Sequence, residues 1–461
     1  MEDFRTDNGS FWFASLGELA RTPVAPAIPD SVDIAIIGAG YTGLWSAYYL
    51  KQAQPDLDIA IFEANGVGFG ASGRNGGWCM GLAYGIQEML ADPAQRDAGR
   101  ALLVAMHDTV DEVGRVSQRE NIDCHYAKGG TLRVASTPHH IGVLKAGVAR
   151  MRELGFTEDD YRWLPPAESM ERIGITPNLG ASYTPHCAAI HPARLVHGLA
   201  ATVRAQGVAI FEGTPVHGYA PQRIELTGRT VKAECIIRAT EGYTDSLRGE
   251  RRKLLPLYSM VVATEPLPAP VWDVIGLRHR ETFGDGRRRV IYGQRTEDDR
   301  LVFGGRAGYY FGSRIKPVIS SDDPQVQSVS RTLRSLLPIL HDYRVTHGWG
   351  GLMGVPRHWR PCVTFDPSSG IGSAGGYTGE GVAASNLAAR ILADLIGQRD
   401  TEITRLAWVD DHSRRWEPEP VRWLGARAVE YFARKADAEE FRTGRASRRW
   451  GGWFDRLSAG R

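Results

Sequence analysis

The 461-residue sequence predicts an α/β protein in two parts: a doubly wound parallel-sheet domain assembled from separated stretches, and a second domain built on an antiparallel sheet plus helices. Three observations carry that prediction. A strand–turn–helix–strand pattern with glycines at its first turn occupies 31–66. Glycine-rich turns recur at 68–77 and again far downstream at 370–382. Helical spacing in 86–180 and a succession of short strands in 249–345 fill the intervals.

The length exceeds what one simple core holds, and 43% hydrophobic with 23% charged residues is ordinary for a folded globular chain. A formal charge of +2 gives no global field that would argue for nucleic acid or acidic partners. The five cysteines (Cys79, Cys124, Cys187, Cys235, Cys362) are odd in number and scattered, without a CxxC pair. That pattern fits reduced cytoplasmic thiols better than a disulfide framework, and it offers no metal site. The opening "MEDFRTDNGSFWFASL" has acids where a secretory leader needs bases, and no apolar run reaches membrane-spanning length. A cytoplasmic protein is expected, and a homo-oligomer is left open.

Val32–Ile37 is a short run rich in Val and Ile, as a strand buried on both faces requires. It feeds Gly38-Ala39-Gly40-Tyr41-Thr42-Gly43, after which Leu44, Ala47, Tyr48 and Leu50 fall at helical spacing; "DIAIFE" (58–63) is the next strand. In this setting Gly38 allows the tight turn, Gly40 lets the main chain touch a pyrophosphate, and Gly43 lets helix and strand pack closely. Helix N-terminal amides hold the negative charge. Glu63, twenty residues beyond Gly43, ends the second strand where a carboxylate would accept adenosine ribose hydroxyls. The unit binds a dinucleotide without distinguishing FAD from NAD.

The next stretch, "GFGASGRNGG" (68–77), holds no aliphatic residue larger than alanine and cannot anchor a core. It is either a slack linker or backbone that something must approach closely. Directly after Glu63, its bare amides, the Ser72 hydroxyl and the Arg74 guanidinium suit a ligand that continues past its phosphates.

With these motifs the chain resembles the D-amino-acid-oxidase-like FAD-dependent oxidoreductases, the superfamily of glycine oxidase, the sarcosine oxidases and the γ-glutamylputrescine oxidoreductases. The RNGG form is most similar to the last branch. The resemblance implies a Rossmann-like FAD-binding domain in which Gly70, Ala71, Ser72, Arg74, Asn75, Gly76 and Gly77 line the cofactor beside Gly38–Gly43, Glu63 and Ala64. It implies a second flavin contact in "GGYTGEGV", where Gly376, Tyr377, Thr378, Gly379, Glu380, Gly381 and Val382 open an apolar helix and its positive end stabilises the reduced ring. It also implies that Val216 meets adenine through its main chain and that Ala239 and Thr240 turn beneath the pyrophosphate. Glu241 stands where that turn most often has glycine. The flavin is expected to be non-covalent, although Cys362 lies in the part of the chain that carries the attachment in some relatives.

The cofactor domain is then discontinuous, 31–85, 181–248 and 346–398, after an N-terminal arm 1–30. The substrate domain comprises 86–180, with helices in "AGRALLVAMHDTVDEVGRVSQ" and "GVLKAGVARMREL" and a strand in "GGTLRVAST", and 249–345, with strands in "YSMVVATEP", "RRVIYGQR" and "DRLVFGGRAGYY". Residues 399–461 form a helical appendage; its tryptophans are expected buried and its arginines solvated, in preference to a membrane-surface helix.

The family chemistry implied is oxidation of a C–N bond of an amine or amino acid by hydride transfer to flavin N5, giving an imine that hydrolyses. Such a site needs no acid–base pair. Tyr258, Trp349, His358 and Tyr377 are the candidate catalytic or substrate-side residues, with Arg357 beside them. Sarcosine oxidases place a lysine over the flavin where this strand has Val302 and Phe303, so reoxidation by O2 or by another acceptor both stay open. An NAD-dependent dehydrogenase and a non-catalytic flavin-binding subunit are the alternatives.

Overall fold

The computed structural model describes residues 8–20 and 26–458; residues 1–7, with the acids of the opening stretch, and residues 21–25 of the arm lie outside the described residues. The apolar run Ser31–Ile37 is the central strand of a sheet in the order Cys362–Asp366, Ile371–Gly375, Arg229–Arg238, Ser31–Ile37, Ile59–Phe62, Ala209–Phe211. All of these pair in parallel except the edge strand Cys362–Asp366. Ala35 and Ile36 have no solvent exposure, as expected of a strand covered on both faces. One cover is the helix Tyr41–Ala53, whose Leu44, Trp45 and Tyr48 share a core with Leu387, Ile391 and Leu392 of the helix Gly381–Ile396 and with Leu103, Val110 and Val113 of Arg96–Arg119. Ala383, Ala384 and Ala388 are fully buried in that contact; their small side chains let the C-terminal helix lie close against the N-terminal one.

The second sheet runs Val345–Val355, Leu255–Thr264, Leu301–Tyr309, Ile291–Arg295, Thr282–Asp285, Thr131–Val134, Ala181–Thr184, Arg162–Leu164. Its pairs are antiparallel except Thr282–Asp285 with Thr131–Val134. Two of its strands come from stretches that the sequence assigns to the cofactor domain. Val345–Val355 pairs along its length with Leu255–Thr264, and Ala181–Thr184 pairs with Thr131–Val134. A short buried run has the same pattern in either sheet, so periodicity identifies the strand but not its neighbour.

The N-terminal arm has a structural task that composition does not reveal. Ser10 caps the short helix Phe11–Ala14. Phe11, Trp12 and Phe13 are buried against Ala193, Val261, Val302 and Trp349. Asn8 Nδ2 and Ser10 Oγ donate to the Gly73 carbonyl (3.3 and 2.9 Å), and Trp12 Nε1 donates to the Asn75 carbonyl (2.8 Å). The arm thus clamps the glycine loop 68–77 onto the second sheet.

The C-terminal segment forms two helices, Val421–Thr443 and Arg448–Ser458. Trp416 and Trp423 pack on Leu255, Leu257 and Val355, and Trp416 Nε1 donates to the Val355 carbonyl (2.7 Å). The expected burial of the tryptophans is corrected: Trp416, Trp423 and Trp450 are only partly buried, and Trp453, stacked on Phe432, stays 48% exposed. Arg422 is a second correction, buried and paired with Glu419. Among the described residues no helix is long and apolar enough to cross a membrane.

Because Trp12 is 1% exposed and also holds the loop through its indole, Trp12→Ala should destabilise the fold by about 3–5 kcal/mol. Chemical denaturation would show this, and limited proteolysis should then cut within 68–77 first; an unchanged midpoint would remove the arm's structural role.

Candidate active site

Strand ends and helix starts bring the glycine-bearing turns to one place. Gly38 follows the first strand with φ +109°, and a Cβ there would lie 2.7 Å from the carbonyl oxygen of Ala239, which follows the neighbouring strand. A Cβ on Gly43 would lie 2.0 Å from Gly38 O, so the helix can sit this close to its strand only with glycine. Between them the Tyr41 amide donates to Ser72 Oγ (2.8 Å), which brings the loop 68–77 onto the helix N-terminus. Glu63 accepts from the Ala39 and Asn65 amides (2.8 and 2.9 Å), and its carboxylate oxygens keep further lone pairs for a diol. Burial pushes its carboxyl above the ordinary value, against those amide bonds. The loop that carries Val216 is tied to the same corner, the Thr214 amide donating to Glu63 O (2.8 Å).

The loop itself is held from several sides. Ala71–Gly73 make one 3-10 turn, and Asn75 closes the loop internally, donating to the Ala71 and Ser72 carbonyls and accepting from the Gly77 amide. Gln294 Nε2 of the second sheet donates to Gly76 O (2.7 Å), and Trp349 Nε1 donates to Arg74 O (2.9 Å). Arg74 is 1% exposed; its Nη2 donates to Pro317 O (2.8 Å) and its guanidinium lies 4.4 Å over the Phe69 ring.

The third turn, Gly375–Val382, closes on the first. Tyr377 Oη and Thr42 Oγ1 share a hydrogen bond (2.9 Å) across 335 positions of sequence. Glu241, where glycine was the expected residue, takes φ +43° and accepts from the Gly376 and Tyr377 amides at 2.8 and 3.2 Å. Burial pushes its carboxyl up to about 7, although the amides pull it back. Thr378 is fully buried at φ +57°, its hydroxyl donating to Gly376 O (3.1 Å) and fixing the turn ahead of the helix Gly381–Ile396.

The side chains singled out for the substrate side are tied to the scaffold. Tyr258 Oη accepts from the Lys316 amide (2.7 Å) and donates to the Lys316 carbonyl (3.2 Å), and the side chain has no exposure. Trp349 holds Arg74 and packs on Trp12. His358 donates through Nε2 to Asp411 O (3.0 Å) and accepts from the Arg360 amide through Nδ1, while Arg357 pairs with Glu417. Tyr377 binds Thr42. Partly exposed near the turns are Tyr84 and Tyr292, which the sequence did not single out, and Arg306 of the second sheet, one of five arginines (with Arg287, Arg288, Arg289 and Arg295) between which the sequence made no choice. Tyr292 stacks edge-on against Trp78 and shares a hydrogen bond with Ser259. Their signal in sequence was only an arginine and tyrosines among many.

A flavin dinucleotide fits this donor set. The turns supply bare amides, Glu63 supplies the ribose acceptor, and two buried groups beside the glycine loop lack protein partners, Arg74 Nε and Tyr243 Oη. A Cβ on Gly70 would touch the Tyr243 ring at 3.3 Å. Orphaned buried donors at a glycine cradle mark a place for a polar ligand. Among the described residues no cluster suits a metal ion.

Glu241 yields a pH prediction. A carboxyl raised in the folded state adds stability that is fully present below its ordinary value of 4.5 and is lost as pH rises through about 7. Glu241→Gln, which keeps an acceptor for the amides, should gain stability relative to the parent between about pH 5 and about pH 8, measured on cofactor-stripped protein by urea denaturation. A difference independent of pH would mean that Glu241 is not buried as a charge.

The family model for FAD dependent oxidoreductases matches residues 33–395. The chain is 30% identical over 422 residues to the probable oxidoreductase OrdL of Rhizobium meliloti (strain 1021), covering 86% of this chain and 90% of the relative. It is 27% identical over 375 residues to the gamma-glutamylputrescine oxidoreductase of Escherichia coli (strain K12), covering 79% and 83%. The crystal structure of glycine oxidase from Geobacillus kaustophilus superposes with a TM-score of 0.68 at 20% identity, covering 81% of this chain and 96% of that one, a likeness of fold. With the match spanning nearly all of its parallel sheet, its glycine turns and the whole of its second sheet, the chain belongs to the FAD-dependent oxidoreductase family.

Proposed function

We propose that the chain oxidises the carbon–nitrogen bond of an amine or amino acid to an imine, which hydrolyses to a carbonyl compound. The observation that carries this reading is the convergence of three distant turns on one place beside a second sheet with partly exposed tyrosines and an arginine. FAD supplies an acceptor for the hydride that leaves the carbon next to nitrogen, at N5 of its ring. The residues that would hold it are Gly38–Gly43, Glu63, the loop 70–77, Val216, Ala239, Thr240 and the turn 376–382.

The protein's own part is orientation and exclusion of water. The arm, Trp349 and Gln294 keep the loop 70–77 against the second sheet, so a cofactor lying along it would face that sheet. The amides opening the helix Gly381–Ile396 would favour negative charge on a flavin held there and so raise its electron affinity. Hydride loss requires a neutral amine, and a site walled by Tyr292, Tyr84 and the glycine loop disfavours the charged form. Val302 and Phe303 are fully buried in the second sheet, and the strand Leu301–Tyr309 carries no lysine. Reoxidation is by O2 or by another acceptor.

The flavin is held without a covalent bond. Burial pushes the Cys362 thiol up to about 12, far from the thiolate that would attack a ring. All five cysteines are free thiols, which suits a cytoplasmic location.

The test is anaerobic titration of the purified protein with a panel of primary and secondary amines and amino acids, followed by air. A yellow protein bleached by one class of amine is expected. Return of colour with peroxide identifies an oxidase, and return only with an added acceptor a dehydrogenase; a colour that no amine bleaches sinks the reading in favour of a flavin-binding subunit. Acid precipitation should leave the colour in solution, whereas a yellow pellet would mean covalent attachment.

A further inference from the structure

The helices Val421–Thr443 and Arg448–Ser458 join through aromatic rings, and none of the described residues covers the outer side of that joint. Phe432 stacks on Trp450 and on Trp453, each with ring centroids 6.0 Å apart, and Tyr431 meets Trp450 edge-on at 6.2 Å. The rim of the cluster stays in solvent: Trp453 is 48% exposed, Leu457 42% and Tyr431 41%. Gly451 and Ser458 are buried and mark the inward side of the second helix. Arg449, Trp453, Arg456 and Leu457, spaced by three and four, lie together on its exposed side.

Cations surround these rings without ion pairs. Arg434 and Lys435 lie over Tyr431 at 5.8 and 5.6 Å, Arg449 over Trp450 at 4.6 Å, and Arg456 over Trp453 at 5.5 Å. No carboxylate of a described residue stands at ion-pair distance from any of the four, because the acids of the first helix are engaged elsewhere. Asp437 accepts from the Arg288 and Arg289 amides (2.9 and 3.0 Å), Glu440 pairs with Arg288 (2.6 Å), Glu430 pairs with Arg427 (3.0 Å), and Glu439 accepts from Ser447 Oγ (2.6 Å). Asp455 is two positions from both Trp453 and Leu457, which turns it off their face. Charges that alternate along the sequence are thus sorted by the fold, Asp437 and Glu440 toward the body and the four cations outward.

A cation whose stem lies along a ring and whose head is hydrated can meet a phosphate without breaking an existing pair. The exposed rings and Leu457 gain by leaving water. Phosphates layered over hydrocarbon satisfy both groups at once. A second copy of the chain would bring the same cations against one another, and a nucleic acid would offer phosphates with no apolar layer for Trp453 and Leu457.

We propose that the face around Trp453 and Leu457, with Arg434, Lys435, Arg449 and Arg456, docks the protein on an anionic lipid surface. The cations meet headgroup phosphates, and Trp453 and Leu457 enter the boundary of the acyl chains. The packed appendage expected from the sequence yields to a membrane-surface helix pair because the ring expected inside lies outside. On their inner side the helices seat Trp423 and Ala426 against Leu257 and Tyr309, so docking turns the second sheet, rather than the parallel one, toward the lipid. The proposal is independent of the amine-oxidation reading.

The experiment is co-sedimentation of the FAD-loaded full chain with vesicles of phosphatidylcholine alone and of phosphatidylcholine with about one-third phosphatidylglycerol. Sedimentation with the anionic vesicles is expected, falling as salt rises from about 50 to about 500 mM. Replacing Arg434, Lys435, Arg449 and Arg456 together by Gln should weaken it by at least about 100-fold, whereas replacing the three arginines by Lys should preserve it. Trp453→Ser with Leu457→Ser should weaken it by at least about tenfold. The four cations are exposed, so the charge variants should keep FAD content and thermal midpoint, and both are measured. No sedimentation with anionic vesicles at low salt, equal sedimentation with phosphatidylcholine alone, or sedimentation that the Gln variant retains overturns the proposal. Self-association abolished by Trp453→Ser without vesicle binding assigns the face to a second copy, and binding of duplex DNA without vesicle binding assigns it to nucleic acid; either result also overturns it.

Discussion

Main-chain amides from three segments, more than 300 residues apart at the extremes, must lie within hydrogen-bond reach of one another, and most of the architecture serves that requirement. The bonds from Tyr41 to Ser72, from Ala39 to Glu63, between Thr42 and Tyr377 and from Gly376 to Glu241 are local expressions of it. Glycine makes the approach sterically feasible and supplies no side chain to hold it there. Order therefore has to come from outside the turns: from the parallel strands that end beneath them, and from the arm, Trp349 and Gln294 around the loop 68–77. The conformational entropy of ten nearly bare residues is offset by donors from outside that bond the loop's carbonyls, with Arg74 and Asn75 adding side-chain bonds of their own.

Electrostatics follows from the same crowding. Turns that expose amides attract negative charge, and two buried carboxyls answer them: Glu63 on the first turn and Glu241 on the third. Both are held against a desolvation cost that raises their proton affinity. Glu241 occupies a left-handed backbone position natural to glycine, and the two amide bonds to its carboxylate compensate the strain.

Legibility differs from residue to residue for physical reasons. Gly38, Gly40, Gly43 and Glu63 could be found because their work is local: a strand, a turn and a helix N-terminus lie within thirty residues. The second sheet's strands Leu255–Thr264, Ile291–Arg295 and Leu301–Tyr309 were equally readable from alternation and turn residues. Residues 346–355 were assigned with the cofactor domain, whereas the strand Val345–Val355 pairs with Leu255–Thr264 of the second sheet, a partner that no local pattern identifies. Tyr258 and His358 attracted attention as aromatic and basic residues, yet their polar atoms are bonded to Lys316 and Asp411, partners no spacing rule identifies.

Taken alone, the sequence determined the α/β class, the first nucleotide turn, the glycine loop and the second glycine turn, since each is a short-range pattern whose physics is complete within its own segment. Tertiary structure alone decided that the arm supports the loop, that Glu241 clamps the third turn, and that Arg306 reaches the Thr378 carbonyl across 72 positions. Those are contacts between residues ordinary in themselves, and only the folded path of the chain makes them neighbours.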